Sequence, residues 1–117
     1  MVSKAIWGRL LKRDGRCWHC GLDDDTLIPQ HRINRGMGGS KLLNRASNLI
    51  VLCSAANVLM ESDSIFRARA LFYGWKLERM SVADEMPVYD LGRAEWFLID
   101  DDFNRVSYRM KGNDGTL

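Results

Sequence analysis

The sequence predicts a single-domain α+β fold, and three observations carry that expectation. An amphipathic helical pattern opens the chain. Two short apolar strands then flank a long glycine-rich loop and run into a second helical pattern. The last third alternates in the manner of β-strands closed by polar turns. At 117 residues, 46% apolar, with four Trp, four Phe and three Tyr, the chain can bury one core of its own.

Ser3 is a natural N-cap for a first helix reaching about Arg13, with Ala5, Ile6, Leu10 and either Trp7 or Leu11 on its buried side. Asp14-Gly15 ends it. Cys17-Trp18-His19-Cys20-Gly21 has the spacing of a metal knuckle, and Asp23 to Asp25 make a solvated acidic turn. Leu27 to Ile33 reads as a strand. The loop from Asn34 to Ser47 is basic and rich in glycine, a length that in a small domain goes with function or mobility. Asn48 to Cys53 is almost wholly apolar, as suits a buried strand.

Ser54 starts a helix expected to run to about Tyr73, with Leu59, Ser62, Phe66, Ala70 and Tyr73 on one face, Val58, Ile65 and Phe72 beside it, and Gly74 as its stop. Strands are expected at Trp75 to Met80, Val88 to Leu91, Glu95 to Ile99 and Arg105 to Tyr108. They would form a small antiparallel sheet over about residues 75–110, with Asp100 to Asn104 as its last turn. Trp75, Trp96 and Phe97 are expected in the core. The Gly-Asn-Asp-Gly tail after Lys111 is expected to fray.

Three cysteines are an odd number and argue against a disulfide framework. No apolar run reaches the ~20 residues of a membrane span, and the N-terminus lacks the apolar core of a secretion signal. A cytoplasmic protein with no membrane partner is the expectation. The net charge of +2 is divided unevenly. Residues 1–45 hold nine Lys or Arg against four Asp, and the rest of the chain holds eight against eleven acids. The basic half is the one a phosphate backbone would contact.

That half contains Gln30-His31-Arg32, then Asn34-Arg35-Gly36-Met37-Gly38-Gly39-Ser40, and later Asn48, Cys53 and Asn57. Neutral imidazole is basic enough near pH 7 to take a proton from water attacking a phosphodiester, which makes His31 a candidate general base. The alternative is a histidine that only hydrogen-bonds within the fold. Arg32, Arg35, Lys41 and Arg45 edge the loop, and its glycines would let backbone approach phosphates closely. An ordinary solvated loop is the other reading.

These residues resemble the HNH endonucleases, small ββα-metal proteins that cut phosphodiester bonds. The stretch from His31 to Ser40 looks like a variant common among small HNH proteins of actinobacterial phages. The resemblance covers about residues 14–75, with residues 75–110 as a β extension. It implies an HNH-like ββα-metal core between the N-terminal helix and the C-terminal sheet, and DNA hydrolysis with Mg²⁺, Mn²⁺ or Ni²⁺. It makes His31 the base and Asn48 the anchor of the catalytic loop, with the four basic residues on DNA. For a phage protein, the host cytoplasm would be its compartment.

The departures from that pattern are specific. Gln30 stands where relatives carry Asp or His, so a catalytic cation would rest on Gln30 and Asn57, helped by Glu61 one helical turn later. Ala56 replaces the fourth cysteine of the Zn²⁺ site, leaving Cys17, Cys20 and Cys53. Either zinc is bound with an improvised ligand, His19 being the neighbouring candidate, or apolar packing around Trp18 and Ala56 takes its place; the second is the expectation. The resemblance therefore leaves a rival: an inactive HNH-derived module that binds DNA or a protein.

Overall fold

The computed structural model describes residues 2–34 and 41–109, and its first element follows directly from local sequence. Helix α1 spans Lys4–Asp14. The Ser3 hydroxyl accepts from the Ile6 N–H at 3.2 Å, and Gly15, at φ 73°, turns the chain while its N–H bonds to the Leu11 carbonyl. Leu10 is the helix's fully buried apolar residue, and it packs with Leu49 and Val51 of the central strand.

Strands β1 (Leu27–His31) and β2 (Leu49–Cys53) pair antiparallel, with Leu27 opposite Cys53 and His31 opposite Leu49. All five β2 residues are buried. Leu49 and Val51 face α1, whereas Ile50 and Leu52 face the main core. A strand covered on both sides has no polar face to show, which explains its unbroken apolar run. The expected first strand continues to Ile33, but the ladder stops at His31. Arg32 instead donates its N–H to the Asn48 carbonyl and turns its side chain inward.

The single helix expected from Ser54 to Tyr73 is two: α2 (Ser54–Ser62) and α3 (Ser64–Tyr73). Asp63 separates them with extended backbone, φ −130° and ψ 114°, and its carboxylate accepts from the Ile65 and Phe66 N–H groups at 2.9 Å. An Asp can cap a new helix as well as continue an old one, and here the cap wins. Gly74 ends α3 at φ 78°. A Cβ there would stand 2.1 Å from the Pro87 carbonyl oxygen, so both conformation and space demand glycine.

The strand expected at Trp75 to Met80 does not form. Trp75 and Lys76 direct their N–H groups back to the Ala70 carbonyl, and Leu77 donates to the Arg32 carbonyl at 2.7 Å. The later strands do form: β3 (Val88–Asp90), β4 (Glu95–Ile99) and β5 (Arg105–Ser107) make an antiparallel sheet in that order. Asp100 holds the last turn by accepting from the Asp102 N–H, the Asn104 N–H and the Asn104 side-chain amide.

The described residues thus form an α+β fold with three α-helices and two small antiparallel sheets. Trp18, Trp75 and Phe97 meet in one core, as expected for the latter two, while Trp96 is half-buried on the outer side of its strand. No helix among the described residues is long and apolar enough to cross a membrane. The tail after Lys111 lies outside the described residues.

Candidate functional site

The site is built where β1 gives way to the loop. Asn48, 2% exposed, ties the two ends of that loop together. Its Oδ1 accepts from the Ile33 N–H at 2.8 Å, and its Nδ2 donates to the carbonyls of Leu43 (2.8 Å) and Ile33 (3.3 Å). All the polar atoms of this buried amide are therefore engaged, and the strand that ends in His31 cannot shift without breaking them.

Arg32, expected on phosphate, takes a different place. It is 0% exposed. Nε donates to the Gly74 carbonyl, Nη1 to those of Ser47 and Ala83, and Nη2 to that of Met86, all within 2.7–2.9 Å. Its planar fork gathers four carbonyls from three chain segments, so these donors are committed to the fold and the assignment to DNA is corrected. Burial, and then the positive charge of Arg13, bring its pKa down to about 9, which still leaves it charged at neutral pH.

His31 is half-buried, and its Nε2 lies 2.8 Å from Oδ1 of Asn44. An amide oxygen only accepts, so this contact requires the proton on Nε2 and the basic lone pair on Nδ1. Asn44 has no distinguishing mark in the sequence; it is one polar residue among several in the loop.

Gln30 and Asn57 are brought together across β1 and α2. The Asn57 amide donates to Gln30 Oε1, and Gln30 Nε2 donates to the His31 carbonyl at 3.0 Å. Glu61 is exposed on α2, and among the described residues its carboxylate pairs with neither of them. Two neutral amides that satisfy one another offer a divalent cation carbonyl oxygens only, and no formal negative charge of their own.

Of the remaining basic residues, Arg35 lies outside the described residues, and Lys41 opens a short 3-10 helix, Lys41–Asn44. Arg45 is ion-paired with Asp101 at 2.5 Å, with Asp84 farther away at 3.9 Å. The acidic turn at 100–102 reads in the sequence as a turn only, and nothing in it signals this contact. A further arginine, Arg13, forms a buried pair with Asp14 at 2.6 Å and donates to the Ala46 and Leu49 carbonyls, clamping α1 onto β2.

At the opposite end of β1 and β2, the sulfurs of Cys17, Cys20 and Cys53 lie within 4.8 Å of one another, with Cys20 and Cys53 at 3.6 Å. Cys17 and Cys53 are buried and Cys20 is exposed. Burial pushes the Cys17 thiol up to about 12, so a cation binding there would have to displace its proton. Such a trio could hold a metal ion, and thiolates suit zinc better than magnesium. His19 is not its fourth member. Its ring packs edge-on against Phe66 and Trp75, with Nδ1 buried and without a hydrogen bond. Burial, then the charge of Arg69, holds its pKa below the usual histidine range.

No family model, curated protein or solved structure matches this chain.

Proposed function

We propose that the chain is an HNH-type module acting on the DNA backbone, in which His31 takes the proton of the water that attacks a phosphodiester. The observation that carries this reading is the Asn44–His31 contact at the end of β1. It orients the ring and puts the lone pair on Nδ1, and the Asn48 clamp holds the strand beneath it. Positioned general bases contribute about 10²–10⁴-fold in rate. On this reading the protein works in the cytoplasm, a compartment in which its three free thiols would stay reduced.

The Gln30–Asn57 pair favours a second reading, a DNA-binding module without hydrolysis, because it supplies no anionic ligand. Nicking of supercoiled plasmid in Mg²⁺, Mn²⁺ or Ni²⁺ separates the two. Nicking is expected with at least one of these ions. Folded protein that retards DNA yet never nicks it would give the binding module the lead.

Gln30→Asp is expected to raise any nicking by about tenfold, equivalent to ~1.4 kcal/mol of barrier, by placing a carboxylate beside Asn57. Gln30→His should act similarly with Ni²⁺, which favours imidazole. An unchanged rate in a variant that stays folded would mean that this position does not limit the reaction.

The thiol trio supports a zinc-class cation, with the fourth ligand coming from outside the three cysteines. Cd²⁺ is expected to produce a thiolate-to-metal charge-transfer band saturating at about one ion per chain. Cys20→Ser should weaken that band. Its absence in reduced, folded protein would return the thiols to the role of small core residues.

A further inference from the structure

We propose that Arg45 and Ser47 form a binding site for a phosphate group, and that the Asp101 carboxylate occupies this site in the free protein. Arg45 directs Nε (2.7 Å) and Nη2 (2.5 Å) at Asp101 Oδ2. Ser47 directs its hydroxyl (2.5 Å) and its N–H (3.1 Å) at Asp101 Oδ1. A guanidinium fork on one oxygen and an O–H with an N–H on the neighbouring oxygen is a donor set that two oxygens of a phosphate can satisfy equally well.

Asp101 is dispensable to its own turn. Asp100 already caps that turn with three hydrogen bonds, leaving Asp101 to reach across to the loop. The pair is also accessible, its side chains being 43% and 39% exposed, and pairs of that kind hold by little. Burial alone would raise the pKa of Asp101, but Arg45 and Ser47 outweigh it and keep the carboxylate ionised. Arg45 and Ser47 stand in the chain between Asn44, which holds His31, and Asn48, which ties the loop. An anion bound here would thus lie on the loop of the proposed base.

The phosphate site is independent of the DNA reading, whereas DNA as the source of the phosphate rests on it. The test therefore has two arms. In the first, inorganic phosphate is titrated into the wild type, Asp101→Asn and Asp101→Ser, and the backbone amide of Ser47 is followed by NMR. Either variant should saturate at about one-fifth of the wild-type concentration or less, a factor set by the small strength of an exposed ion pair. Adding Arg45→Gln should remove the response. Equal titration of wild type and variants, or a Ser47 signal that does not move, would overturn the site.

In the second arm, Asp101→Asn should bind duplex DNA about threefold tighter or more, with a salt dependence steeper by about one phosphate contact. A positive phosphate arm with no DNA binding by either protein would keep the site and defeat DNA as its partner.

Discussion

Arg32→Ala is expected to destabilise the protein by about 3–5 kcal/mol, the range for breaking a buried charged network by removing one partner. Four carbonyls, of Gly74, Ser47, Ala83 and Met86, lose their donors at once, and the space of the side chain is left behind. A domain of this size has only about 5–15 kcal/mol in total, so a variant that is largely unfolded near body temperature would not be surprising. Arg32→Lys should also lose substantial stability, because an ammonium is a point of donors and cannot span four carbonyls arranged around a planar fork. Chemical denaturation of the three proteins measures this directly. A loss below about 1 kcal/mol on Arg32→Ala, accompanied by weaker and less salt-dependent DNA binding, would restore Arg32 to the DNA contact that the loop sequence suggests.

His31→Ala is expected to lower plasmid nicking by at least about 100-fold, the lower end of what a positioned base contributes, while the melting temperature and DNA affinity stay close to wild type. Asn44→Ala serves as the companion variant: as a positioning residue it should reduce the rate less and alter its pH profile, since the proton on Nε2 loses its acceptor. Nicking by His31→Ala at the wild-type rate would take His31 out of the chemistry.

Much of the fold is legible in the sequence wherever local physics decides it. Ser3 and Gly15 bound α1 because a hydroxyl cap and a left-handed glycine act within one turn of the residues they serve. The apolar run from Leu49 to Cys53 announces a strand buried on both faces, and the gathering of Cys17, Cys20 and Cys53 follows from a knuckle set beside the end of that strand. The break at Asp63 is harder to see. Helical periodicity continues across it, and only the capping bonds to Ile65 and Phe66 reveal that a second helix begins. Trp75 to Glu78 alternates apolar and polar residues like a strand but finds, among the described residues, no neighbouring strand with which to pair, and β structure exists only in pairs.

For the candidate site, the residue types, their order, and the places of Gln30 and His31 at the end of one strand, of Asn48 just before the next and of Asn57 on the helix that follows are set by the sequence itself. Tertiary structure alone decided what each polar group faces. It buried Arg32 among carbonyls from residues 42 to 54 positions away, closed Gln30 onto Asn57, aimed Asn44 at His31, and set Asp101 on Arg45. A charged or amide side chain has nearly the same local signature whether it meets solvent, a phosphate or a distant carbonyl. Its partner is fixed by which segments the core brings together, and that information is spread over the whole chain.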